Sequence, residues 1–256
     1  MSNRYAVRYK APDGRTWHFT GQWLAGIKSG GIDDLIGDGD DVTHALVGAA
    51  GQTLDSIQPK PMTGTLTLHV RGDDNRTADD VWADLRRDFH RHTTGKLTIA
   101  TPTGDLTAAV RLSGPIPPPT DDPTETELVR DVKIPLIADR CGWWKPTQTG
   151  TVTVTIKNTG DLTIRPRVRW NGNGGIITMF SGAKFTLPSV TSERILYLDR
   201  ERAGTVETSA GMADYATRNK LLGVLPEGVP AGKTRTMTVP AGAIVEWEEV
   251  VFDPWQ

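Results

Sequence analysis

The chain has 256 residues, 37% of them hydrophobic and 23% charged. That is enough for one large or two small globular domains, and too apolar for a disordered chain. A net charge of -2 and a single cysteine, Cys141, argue against a nucleic-acid-gripping basic face and exclude an intrachain disulfide scaffold.

The 27 glycines and 17 prolines punctuate short apolar runs, the rhythm of strands and turns. Residues 5–9 and 17–19 flank Pro12-Asp13-Gly14 and predict an opening hairpin. Residues 26–41, rich in Gly and Asp, predict a loop. Residues 63–71 alternate, with Leu66, Leu68 and Val70 on one face, and predict a half-buried strand.

One helix is predicted over 77–92. Thr77 is its N-cap, and Asp79 and Asp80 suit the dipole of the first turn. Ala78, Val81, Trp82, Leu85 and Phe89 form the apolar stripe, His90, Arg91 and His92 the last turn, and Gly95 the stop. A hairpin follows over 96–100 and 106–112, turning at Thr103-Gly104-Asp105. Residues 114–127 are Pro-rich and acidic, and predict a surface loop or extended arm. Residues 128–137 return as a strand, where Pro135 signals an edge or a bulge.

Residues 139–150, with Gly, Pro and the pair Trp143-Trp144, mark the expected boundary between a domain at 1–141 and one at 142–256. Strands are then predicted at 151–157, 162–170, 176–180, 184–187, 194–198, 205–208, 234–239 and 243–252, a spacing that suits a β-sandwich. Asn171–Gly175 reads as a hairpin turn, and 213–222 as one short helical turn.

No catalytic, cofactor or metal residue is assigned, and no interface residue. The Asp cluster at 33–41 lacks the spacing and closing Glu of a calcium loop. His90 and His92 are two apart and point to different faces of a helix, so a helix-end charge role is expected. Cys141 carries no nucleophile signature, and no P-loop, GxSxG or dinucleotide fingerprint is present. Glu246 and Glu248 alternate with Val245 and Trp247, as on an exposed strand face. Asn75-Arg76-Thr77 fits a glycosylation sequon, but is read as the helix cap. Among the eight tryptophans, Trp143, Trp144, Trp170 and Trp247 are candidates for stacking sugars, with core packing the commoner use. Residues 1–20 show no apolar signal region and no run reaches the ~18 apolar residues of a membrane span, so the expectation is a product made in the cytoplasm without membrane insertion.

The order of elements resembles the distal tail protein family of long-tailed, siphovirus-like phages. Four features carry the resemblance: the strand, helix, hairpin and strand over 63–137; the aromatic, Pro-containing junction 138–146; Asn158-Thr159-Gly160-Asp161 followed by Arg165-Pro166-Arg167-Val168; and Phe185-Thr186-Leu187, 195–198, Pro240-Ala241-Gly242 and the closing strand 244–252. The junction departs from the family in reading Cys141-Gly142-Trp143-Trp144. The resemblance implies a mainly β fold: a ring-forming, split-barrel-like β domain with one helix, then a galectin-like β-sandwich. It implies a non-enzymatic virion protein of the tail tip without cofactors. Such a protein forms a homo-hexameric ring that contacts the tail tube protein, tip or hub proteins and receptor-binding proteins, and DNA crosses its lumen without specific binding. A carbohydrate-binding module recognising host cell-wall glycan is the alternative. Cyclic rings need two different contact faces per subunit. Segments 26–41 and 114–127, neither expected to pack regularly, are the candidates for one of them.

Overall fold

The computed structural model describes residues 5–256 except 46, 47, 49, 120, 121, 123, 125, 126, 200, 201, 203 and 222. The chain is mainly β, as expected. It divides into two compact units, Met1–Trp144 with Val251–Gln256, and Lys145–Val250.

In the first unit, β1 (Ala6–Lys10) and β2 (Thr16–His18) form the predicted opening hairpin. There follow β3 (Ala25–Asp34), β4 (Gly39–His44), β5 (Thr53–Pro59), β6 (Met62–Arg71), α1 (Ala78–Asp88), β7 (Gly95–Thr101), β8 (Gly104–Leu112), β9 (Leu128–Ala138) and the short β10 (Trp143–Trp144). The main sheet runs β2-β1-β7-β8-β9-β6-β3, with β10 pairing on β8. Its two ends meet at Phe19, whose N–H donates to the Val7 carbonyl and whose own carbonyl accepts from Ile27, each at 2.9 Å. One residue thus bridges β1 and β3 and curls the sheet around Leu66, Leu68, Val70, Leu97, Ile99 and Ile134, all fully buried.

The alternation of β6 is therefore the inner face of this sheet, and α1 lays Val81, Trp82 and Leu85 into the same core. Thr77 caps α1 in a capping box with Asp80. The helix stops at Asp88, four residues earlier than its predicted end. Phe89 leaves helical geometry (φ -96°, ψ 120°) because its ring stacks on Tyr9 with centroids 4.1 Å apart. His90, Arg91 and His92 consequently lie in the connection to β7 and not in a helical turn.

The loop expected at 26–41 is instead β3, a short connection and the start of β4. Gly31 in this segment, and Gly64 on the neighbouring β6, allow close approach of backbones. A Cβ at Gly31 would lie 2.5 Å from the Thr67 carbonyl oxygen, and one at Gly64 would lie 2.5 Å from both the Asp33 oxygen and the Leu35 nitrogen. β9 pairs with β6 along its length but with β8 only at Leu136 and Ile137, so up to Pro135 the strand is an edge on that side, as expected. Pro135 stands where β8 runs out, so its missing N–H breaks no ladder bond there. Residues 251–256 complete this unit: the Gly37 N–H donates to the Phe252 carbonyl at 2.9 Å, and Trp255 meets the Tyr5 ring edge-on at 5.3 Å.

The second unit contains β11 (Gln148–Thr151), β12 (Thr153–Lys157), β13 (Arg167–Gly172), β14 (Gly175–Thr178), β15 (Lys184–Leu187), β16 (Val190–Tyr197), β17 (Val206–Thr208), α2 (Tyr215–Asn219), β18 (Thr234–Thr238) and β19 (Ala243–Trp247). A five-stranded sheet, β11-β19-β13-β16-β17, and a four-stranded sheet, β12-β18-β14-β15, enclose one core. Val168, Leu196 and Val245 from the first sheet and Ile156, Ile177 and Met237 from the second are fully buried in it. The helical turn expected in 213–222 is α2, with Leu222 outside the described residues.

The strand expected over 243–252 ends at Trp247, and only Val250–Val251 pair again beyond it. Two further differences from the sequence reading lie where the chain changes sheets. The single strand expected over 151–157 breaks at Val152, whose φ of +61° turns the chain from β11 into β12. Asn171–Gly175 is no hairpin turn, because β13 and β14 belong to different sheets and the glycines carry the crossing. Replacing Gly64 by Ala forces a methyl group against backbone on two sides. The expected loss is about 1–3 kcal/mol of unfolding free energy, measured by urea denaturation.

Candidate assembly surface

The residues weighed as chemical candidates disperse in the fold. Asp33 and Asp34 close β3, while Asp40 and Asp41 lie on β4. Among the described residues no group of three or more His, Cys, Asp or Glu is gathered as a metal requires. Cys141 is buried, its thiol 3.3 Å from the Asp38 carbonyl. Trp143 and Trp170 are core residues, each using its indole N–H on a backbone carbonyl, Leu35 at 2.8 Å and Pro188 at 3.0 Å. Trp144 is half-buried beneath the Arg140 guanidinium at 3.5 Å, and Trp247 packs half-buried on the sandwich core.

Glu246 corrects the exposed-face reading. It is 8% exposed, with Arg167 Nε at 2.6 Å and Arg169 Nη2 at 2.9 Å from its two oxygens. Arg167 sits opposite it on β13 and Arg169 two residues further along, an arrangement that alternation within one strand does not reveal. Glu249 is likewise buried, paired with Lys145 Nζ at 2.7 Å and accepting from the Thr159 hydroxyl. Asn158 is 1% exposed and satisfied on every side chain atom. Its amide donates to the Leu162 and Val229 carbonyls, both at 2.8 Å, and its oxygen accepts from Gly160 N–H at 3.0 Å. This pin holds 162–166 to the loop at Val229, so the strand expected from 162 starts only at Arg167.

In the first unit, the two segments singled out as possible contact faces come together. The register of β3 slips between Ile27 and Ile32, lifting 28–31 out of the ladder. The start of the Pro-rich arm is fastened to α1 by Arg86, which donates to the Pro117 carbonyl at 3.0 Å and the Ile116 carbonyl at 3.3 Å. Further along the arm, 120, 121, 123, 125 and 126 lie outside the described residues. Between bulge and arm lies a groove of about 570 Å³, with Trp82, Val132 and Pro118 among its apolar lining and Lys28, Asp131 and Lys133 among its charges. Lys28 Nζ pairs with Asp131 Oδ1 at 2.6 Å, and Asp131 holds a φ of +52° inside a strand, strain of the kind stored at working surfaces.

The second distinct surface is the β4–β5 hairpin. It is a two-stranded sheet paired only with itself, and every residue of β5 is exposed. Leu54 and Ile57, 53% and 40% exposed, share one face of it with Asp41, and Val42, 41% exposed, lies on the other. Nothing in the sequence reading marked 53–59 as a strand.

No protein-family model and no curated protein sequence matches this chain. Solved structures do. The SPP1 Dit protein (gp 19.1), described as a paradigm of the hub adsorption apparatus in phages infecting Gram-positive bacteria, aligns over 96% of this chain and 98% of its own, with a TM-score of 0.61 and 14% identity. A chain of the phage P2 baseplate in its activated conformation with calcium has the same coverage, a TM-score of 0.55 and 8% identity. The corresponding strontium structure gives 0.53 and 8%. The fold is therefore that of phage hub and baseplate proteins across both units, and the resemblance to distal tail proteins holds at the level of fold.

Two measurements probe the sandwich. Asn158→Ala removes the donor to the Leu162 carbonyl, one of the two donors to the Val229 carbonyl and the acceptor of the Gly160 N–H, and is expected to cost about 1–3 kcal/mol in urea unfolding. Asp214 caps α2, and the Thr217 N–H, the Arg194 guanidinium and the Thr217 hydroxyl hold its carboxyl well below the usual carboxylate range. A depressed folded-state value stabilises above the unfolded value of ~3.9 and is lost as pH falls. The stability gap between wild type and Asp214→Asn should therefore close on acidification below about pH 4.

Proposed function

We propose that this chain is a structural, non-enzymatic protein of a phage tail tip. In this reading six copies form a ring that joins the tail tube to the host-recognition apparatus and lets DNA pass. The observation that supports it most is the full-length likeness to the SPP1 Dit and P2 baseplate chains, which extends through both units at 98% coverage of those proteins. A match confined to the sandwich would favour a generic binding module; a match through both units favours the whole assembly role.

Charge and fold fit the same reading. A ring that releases DNA must not hold it by counterion release, and a net charge of -2 suits a lumen through which phosphates slide. The N-terminal domain is assigned ring formation, and the tail tube, hub and receptor-binding proteins are the partners. The virion is then the working location. The tryptophans Trp143 and Trp170, committed to cores, are withdrawn from sugar stacking, which lowers the weight of the glycan-binding alternative.

Native mass spectrometry of the full chain, alone and with the tail tube protein, tests this. The expected species is six times the chain mass, with a ring visible by negative-stain electron microscopy. A chain that stays monomeric in both conditions overturns the reading.

A further inference from the structure

We propose that Trp23 and Arg71, on the outer face of the curled sheet, form a docking point for an acidic segment of a partner protein. A carboxylate of that segment takes the guanidinium, and an adjoining apolar side chain takes the indole. The inference does not depend on the ring reading, since it concerns one face of a single copy.

The spot is built by the end of β6 and the residues just before β3. Leu66, Leu68 and Val70 point into the core, so His69 and Arg71 point outward. The Arg71 N–H donates to the Leu24 carbonyl at 2.7 Å, and the Trp23 indole N–H to the Gly72 carbonyl at 2.8 Å. These two bonds tie 23–24 to the end of β6. The Arg71 guanidinium lies over the Trp23 ring, 4.7 Å from its centroid. Trp23 is nevertheless 62% exposed, so a fixed aromatic surface faces water.

Arg71 is set apart from other arginines of the unit. Arg8, Arg15, Arg76 and Arg111 each hold a carboxylate. Among the described residues Arg71 forms no ion pair, and its Nε–H is buried without an acceptor. Its uncompensated charge reaches His69, whose imidazole is lowered from its ordinary value by burial and then by Arg71. Binding hot spots are enriched in tryptophan and arginine, the two side chains paired here. The polar groups on offer are donors, because the indole N–H is already spent on Gly72. A sugar hydroxyl asks for acceptors as well as donors, whereas a carboxylate only accepts. The indole is held in place before binding, so little side-chain freedom is lost on contact.

The probe is a capped hexapeptide of alternating leucine and glutamate, titrated into the full chain and followed by NMR of the Trp23 indole N–H and the Arg71 Nε–H. The expected result is a saturable shift of both signals, absent with the matching leucine–glutamine peptide. The His69 imidazole should titrate at a higher pH in the complex, because the Arg71 charge is then compensated. Arg71→Gln should weaken binding about tenfold, and Trp23→Ala should weaken it as well, from variants that keep the wild-type circular dichroism spectrum. Equal shifts with the two peptides, or none with either, overturn the proposal. A thymidine oligonucleotide or an oligogalacturonate that displaces the glutamate peptide at lower concentration puts the partner outside proteins and overturns it too. Rings without this response leave the ring reading intact and this docking point wrong. The response from a chain that stays monomeric leaves the docking point intact and the ring reading wrong.

Discussion

The first unit depends on one two-sided pairing, that of Phe19. Its N–H reaches β1 and its carbonyl receives β3, so a sheet that would otherwise have two raw edges is drawn into a closed wall. With the wall closed, the alternation of β6 has a single inside, and α1 can cover the remaining opening with Val81, Trp82 and Leu85. The same closure decides where the surface is irregular. The β3 bulge lies on the strand that Phe19 recruits, and the proline arm passes over α1, so the groove follows from how the wall is sealed.

The second unit is organised differently, by polar pins within an apolar sandwich. Asn158 saturates three backbone groups, and Glu246 is held between two arginines on the neighbouring strand. Such groups are costly when half-satisfied and specifying when complete. It is telling that Asn158-Thr159-Gly160, part of the pattern that resembles the phage family, performs this internal service. A Cβ at Gly160 would lie 2.2 Å from the Val250 carbonyl oxygen, so the small residue is needed there as well.

The legible part of the sequence was local. The turn at Pro12-Asp13-Gly14, the alternation of Leu66, Leu68 and Val70, and the capped stripe of α1 each follow from neighbours a few residues apart. Features set by distant partners were not legible. Phe89 leaves the helix for Tyr9, eighty positions away in sequence. Gly31 looks like a loop residue until the strand it touches is in place. Val152 reads as an ordinary strand residue, although it is where the chain changes sheets. The groove was beyond reach for the same reason: Lys28, Trp82, Pro118 and Lys133 gather only once the sheet has curled.

The return of 251–256 to the first unit carries a consequence for the order of events during synthesis. Gly37 waits for the carbonyl of Phe252, and the entire sandwich is threaded between them in the chain. The first unit therefore cannot be finished on the ribosome while the sandwich is still being made. Its last pieces follow directly on the end of Lys145–Val250, so the two units are completed together. A half-translated chain is thus an incomplete building block, because the first unit lacks its closing segment until residues 251–256 have been made.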